Sequence, residues 1–261
     1  MPIPRGITGG KPYLGEWAIL AGYRGSIAHG MYTPSKDPLS IDDKDAMFVA
    51  VPSLSHYFGL SEFGSHGTYE VKRDEWDIVC YEAKKFISLL EHGNPNVLMM
   101  LWLPQKSYLK IEAAGQLILS HRRLFVGRHV YHAFTGYAYG QLHRMTHYVF
   151  EGYMGQKRKE LVDRFGYDTK NAAHLIRLLR MGIEFLRDGE LYVEREDATQ
   201  LLEIKRGEWT LEQVKAEAET LFKSSEAAYL ASTLPARPDR EAIGALCVDV
   251  VRTALKERGE L

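Results

Sequence analysis

Cysteine is nearly missing from this chain: Cys80 and Cys247 are the two in 261 residues. Two isolated thiols exclude a disulfide framework and a zinc cage. A chain of this length, 45% hydrophobic, can bury one generous core or two modest ones without such staples. Long apolar runs are missing too. None approaches the roughly 20 residues that span a bilayer, because Gly, Pro or a charge interrupts each one, so no membrane partner is expected. The first residues lack the basic-then-apolar pattern of a secretion signal, and the expected setting is the reducing cytoplasm. An excess of one charge is missing as well. A formal net charge of -1 argues against coating nucleic acid by bulk electrostatics, so any such contact must come from a local patch. Gln156-Lys157-Arg158-Lys159 and the run Arg122 to Arg128 are the short basic clusters, although clusters of this kind are commonly solvated helix faces. There is no internal repeat and no low-complexity tract.

What is present divides into two halves. Trp17 to Tyr23 and Ala46 to Val51 are short apolar runs that read as buried strands; Thr68 to Lys72 and Ile78 to Tyr81 read as two more. Met31 to Ile41, rich in Pro, Ser and Asp, reads as an exposed loop. From Ala83 the period changes. Phe86, Leu89 and Leu90 mark one helical face, and His92-Gly93-Asn94-Pro95 stops it. Further helices are predicted from about Tyr131 to Phe150, Thr169 to Asp188, Thr210 to Phe222 and Arg240 to Lys256. The expected architecture is α+β: a mixed sheet with helices over residues 1–125, then a helical domain over 126–261 closing over a cleft.

Two features at strand ends carry chemistry. Gly25-Ser26 follows the first strand, and small residues there let backbone amides and the Ser26 hydroxyl approach a phosphate. Asp43-Lys44-Asp45 leads into the second. Residues i and i+2 of an extended segment project to one side, so Asp43 and Asp45 can face one metal while Lys44 points away. Such carboxylates are hard oxygen ligands of the kind Mg²⁺ prefers. Later, Lys170, His174 and Arg177 are spaced to share one helix face, where they could neutralise phosphate oxygens. His129, His132, His143 and His147 lack the acidic partner of a zinc-hydrolase signature. The aromatic run Tyr131 to Tyr153 reads as helix packing.

The order strand, Gly-Ser, short helix, loop, acidic pair, strand resembles the nucleotidyltransferase superfamily of DNA polymerase beta. More narrowly, the chain resembles the RNA repair pathway DNA polymerase beta family. That resemblance rests on Gly25-Ser26-Ile27-Ala28-His29-Gly30, Asp43-Lys44-Asp45, Trp76 to Glu82 running into Lys85-Phe86, Gly93-Asn94-Pro95-Asn96, and Gly166 to Leu179. The spacer between Ser26 and Asp43 is longer than the minimal superfamily pattern, which makes Met31 to Ile41 an insertion. The resemblance implies a two-metal nucleotidyl transfer: Mg²⁺ or Mn²⁺ on Asp43, Asp45 and a third carboxylate, and a nucleoside triphosphate held at Gly25, Ser26, Lys170, His174 and Arg177. Asp77 is the candidate third carboxylate, with a helix N-cap as its alternative role and Glu70 in reserve. The acceptor it implies is an RNA end, tRNA included. The competing readings are nucleotidylation of a protein or small molecule, and a nucleotide sensor without turnover.

Overall fold

The strands form because β-branched, aromatic and small apolar residues alternate between two buried faces. The computed structural model describes residues 8–33, 43–147 and 156–261. After a 3₁₀ turn at Pro12–Leu14, β1 (Ala18–Tyr23) leads into the short α1 (Gly25–Ala28); β2 (Lys44–Ala50) and α2 (Leu54–Phe58) follow. β3 (Thr68–Arg73) and β4 (Trp76–Glu82) run into α3 (Ala83–Glu91), α4 (Pro95–Leu98), β5 (Tyr108–Ile111) and α5 (Ala113–Ser120). The rest is helical: α6 (Val130–His147), α7 (Gln156–Phe165), α8 (Thr169–Asp188), α9 (Ala198–Lys205), α10 (Leu211–Ala231) and α11 (Arg240–Glu257). Most of the predicted Met31 to Ile41 loop lies outside the described residues. So do the last residues of the helix expected to reach Phe150 and the side chains of Gln156, Lys157 and Arg158.

The five-stranded sheet has the order β3-β4-β2-β1-β5, with β2 and β4 parallel and the other pairs antiparallel. Its two faces bury different sets. Met47, Val49 and Val79 face a large core shared with the helices, whereas Ala46, Phe48, Ile78 and Cys80 face a smaller one closed by Leu14, Phe63 and Trp76. The fold class is thus the α+β arrangement expected of a polymerase-beta-like protein.

Helix ends follow capping chemistry. Glu82 caps α3 by accepting from the Lys85 amide at 3.0 Å, Asp168 caps α8 through the Asn171 amide at 3.0 Å, and Thr210 with Gln213 forms a capping box on α10. Asn94 caps the short α4 by accepting from the Asn96 amide. Because Glu82 takes the N-cap of α3, Asp77 does not hold that role; it lies inside β4.

The last helix does not stay with the other C-terminal helices. α11 packs against α3 and α5, beside the sheet. Beyond it Arg258 donates to the Val51 and Pro52 carbonyls at 2.9 and 3.1 Å, and Glu260 accepts from the Leu54 amide at 2.7 Å. Among the described residues no helix is long and apolar enough to cross a membrane.

The contact of α5 with β1 is tight enough to test. A Cβ on Gly115 would overlap the Ile19 carbonyl oxygen and lie 3.0 Å from its carbon and 3.1 Å from Leu20 Cβ. Overpacking costs about 1–3 kcal/mol, more than the roughly 1 kcal/mol that alanine gains over glycine in a helix. Gly115→Ala should therefore lower the urea midpoint. Gly244→Ala in α11, where nothing lies within 4 Å of the new methyl, should raise it.

Candidate functional site

Parallel pairing of β2 with β4 brings the acids together. Asp45 is the register partner of Asp77, just as Met47 is of Val79. Alternation places Asp45, Met47 and Val49 on one sheet face with Asp77 and Val79, and Asp43 two residues earlier points the same way. Lys44 faces oppositely, as the i, i+2 rule requires, with its ammonium 2.5 Å from Glu75 and over the Trp76 ring. Glu70 does not line the cleft: it is exposed on β3 opposite Val79, one strand further out and two residues beyond Asp77.

The acids open into a cleft of about 740 Å³, a size suited to a small-molecule or nucleotide ligand. Gly25, Asp43, Asp45 and Asp77 line it on the sheet side, and Lys170, His174 and Arg177 of α8 line it on the other. Ser26 does not reach the lining. Its hydroxyl is buried beneath α1 with no partner among the described residues. Gly25 sits at φ +61°, and a Cβ there would overlap a carboxylate oxygen of Asp45 and lie 2.9 Å from its Cγ. Only a residue without a side chain lets this turn close on the acidic pair.

The electrostatics are unbalanced on both walls. Burial raises the Asp45 carboxyl to about 6, against the pull of Arg24 and Lys170 and with the repulsion of Asp77 and Asp43. On α8, Arg177 is 7% exposed; burial, reinforced by Arg195, lowers its pKa to about 9. Its Nη1 lies 3.3 Å from the Met181 sulfur and its Nε has no partner among the described residues. A buried guanidinium this poorly matched is costly unless an anion joins it. His174 and His29 flank it. Desolvation first, then Arg177, holds both rings well below their ordinary pKa, so neither adds charge to an already cationic floor. His29 is fixed by a 2.8 Å hydrogen bond between its Nδ1 and the Val193 carbonyl.

Sequence reasoning missed several lining residues: Arg24, His29, Lys72, Tyr137, Gln141 and Arg144. Arg24 and Lys72 contact Asp77 at 3.1 and 3.3 Å, and Arg24 lies 3.7 Å from Asp45. Arg24 abuts the Gly-Ser turn, the one sequence signal that could have singled it out. Lys72 is the ladder partner of Asp77, a relation invisible without the register. The run Arg122 to Arg128 does not reach the cleft. Arg122 lies over Trp102, Arg123 pairs with Glu190, and Arg128 lies over Tyr229. Among the described residues of the aromatic run, Tyr131 stacks on Tyr229 and Tyr139 on Phe222, which is packing; Tyr148, Phe150 and Tyr153 lie outside the described residues. Tyr137 departs from that packing, lining the cleft and accepting a 2.8 Å bond from Asn94.

Among the described residues no group of three or more acid, histidine or cysteine side chains stands arranged as a ready metal cage. The donor set nonetheless suits a hard cation: carboxylates adjacent in register, one of them desolvated.

A mixed sheet with β2 and β4 in parallel register, followed by a helical region, is consistent with a polymerase-beta-like fold. Residues 18–249 match the RNA repair pathway DNA polymerase beta family, RlaP, and the chain belongs to that family. No curated protein and no solved structure matches it.

Proposed function

We propose that the protein is a metal-dependent nucleotidyltransferase that moves a nucleoside monophosphate from a nucleoside triphosphate, ATP among the candidates, to an RNA end in the cytoplasm. The observation that carries this reading is the polarity of the cleft, with three carboxylates from the β2 and β4 side opposed by Lys170 and Arg177 of α8. Asp43, Asp45 and Asp77 would hold Mg²⁺ or Mn²⁺, which when bound would neutralise phosphate charge and lower the pKa of the acceptor hydroxyl.

The remaining work falls to the chain's own groups. Lys170 and Arg177 draw the triphosphate to the α8 wall and offset the charge that builds on the departing pyrophosphate. Gly25 leaves its backbone open to the phosphates. The acceptor hydroxyl oxygen forms a bond to the α-phosphorus as the bond to the bridging α–β oxygen breaks. Pyrophosphate leaves, and the hydroxyl proton passes to Asp77. His29 and His174 stay neutral and hold shape rather than charge. RNA as acceptor is supported by the family's RNA repair description, with Arg144 a further cation along the same cleft.

The test incubates purified protein with Mg²⁺ or Mn²⁺, each α-labelled ribo- and deoxyribonucleoside triphosphate and a mixed RNA pool, beside an Asp43→Ala, Asp45→Ala double variant. Label on RNA with the wild type alone is the expected result. Label on the protein itself would move the acceptor to a protein, and failure to bind any triphosphate would sink the reading.

A further inference from the structure

The acidic pair is already neutralised by the chain itself. Asp45 and Asp77 lie side by side on neighbouring strands, a placement that like charges resist unless a cation stands between them. The guanidinium of Arg24 stands there, one nitrogen 3.1 Å from Asp77 and 3.7 Å from Asp45. Its backbone is pinned, because the Arg24 amide donates to the Asp45 carbonyl at 3.0 Å. The side chain therefore starts from a fixed point at the end of β1 and leans across β2 toward β4. Lys72 takes the other oxygen of Asp77 at 3.3 Å.

The two cations are held differently. Lys72 keeps 75% of its side-chain exposure and can swing into water at little cost, whereas Arg24 keeps 27% and lines the cleft. Arg24 also uses its fork badly. A single terminal nitrogen makes both carboxylate contacts while its buried Nε has no partner among the described residues. A guanidinium engages carboxylate or phosphate best through two parallel donors, so this contact is weaker than the group can make. A divalent cation seeking the same oxygens competes with Arg24 directly. The displaced guanidinium, anchored next to the Gly25 turn, remains in a cleft where a triphosphate offers bidentate oxygens.

We infer that Arg24 is a resident counter-ion of the carboxylates, displaced by the divalent cation and passed on to the triphosphate, so that this one side chain couples metal and nucleotide binding. The inference rests on the nucleotidyltransferase reading of the cleft. It makes Arg24 a positioning residue: it keeps the acids side by side before the metal arrives and grips the phosphates afterwards.

Titration of Mn²⁺ by electron paramagnetic resonance tests it without any turnover. Arg24→Met, which keeps the aliphatic stem and removes the charge, should bind Mn²⁺ at least about 5-fold more tightly than the wild type when no nucleotide is present, the low end of ordinary coupling between sites. Mn²⁺ and a non-hydrolysable triphosphate should strengthen each other's binding in the wild type and do so measurably less in Arg24→Met, with the full coupling kept in Arg24→Lys. Arg24→Gln is the second variant, expected to shift in the same direction should Arg24→Met fail to fold. Equal or weaker Mn²⁺ binding in the folded variants would overturn the inference and leave Arg24 a purely structural cation. A wild type that binds neither Mn²⁺ nor triphosphate would instead overturn the reading of the cleft, and the inference with it.

Discussion

Alanine at position 25 is expected to abolish nucleotidyl transfer and lower the melting temperature together. Two costs coincide there. A left-handed backbone costs a residue with a Cβ about 1–2 kcal/mol, and the new methyl would overlap the Asp45 carboxylate. Relief requires either the turn or the carboxylate to move, and each route separates the Gly25 backbone from the acidic pair. Transfer should fall by at least roughly 100-fold, the scale on which a misplaced group costs rate. The clash and the strain are separable in a double-mutant cycle. In an Asp45→Ala background the carboxylate overlap is gone and only the 3.2 Å contact with the Cβ of residue 45 remains, so Gly25→Ala should cost little beyond the strain. Equal costs in both backgrounds would show that the carboxylate does not crowd the turn.

The second large effect has opposite signs for stability and activity. Asp45→Asn should stabilise the metal-free protein while reducing transfer by roughly 10²–10³-fold, as expected when a preorganised charge is lost. The Asp45 side chain keeps 25% of its exposure, and its carboxyl titrates near 6 in the fold against 3.8 ordinarily. At about 1.4 kcal/mol per unit, a rise of about two units means that burying the charged form costs up to about 3 kcal/mol. Because the folded pKa is the higher one, this group's contribution to stability is fully present below about pH 4. It is lost as pH rises through about 6. Melting curves at pH 4 and pH 8 without divalent cation should therefore show the wild type losing stability across that window and Asp45→Asn losing less. Identical pH dependence in the two proteins would rule Asp45 out as the strained group.

The parts of the fold that depend on local pattern were legible. Thr169 to Asp188 is the helix its periodicity predicts, and the four predicted strands appear with ends shifted by at most two residues. Local pattern failed where it was weak. β5 has four half-buried residues with no alternation and joins the sheet edge through an irregular register with β1. α5 and α9 fell inside stretches with no separate helix signal. The same division runs through the site. Asp43 and Asp45 could be paired from the i, i+2 rule alone, and Lys170, His174 and Arg177 from helical spacing. The choice between Asp77 and Glu70 could not, since it turns on which residue of β4 faces Asp45 across a parallel ladder. Arg24 and Lys72 were hidden for the same reason: a cation's significance there lies in which carboxylate the sheet brings beside it. Ser26 shows the converse, a motif residue that the short helix turns inward.

The return of α11 to the sheet changes the mechanics of the cleft. A helical segment joined to the sheet at one end would swing like a door. Here the chain leaves the sheet region before α6 and is fastened again after α11, where Arg258 and Glu260 grip the backbone just past β2. The arrangement is a buckle, closed at both ends, with the floor of the cleft on the strap between them. Widening the cleft then means either unfastening the C-terminal clasp or bending the strap itself, and the strand that carries Asp45 feels the tension of whichever gives first.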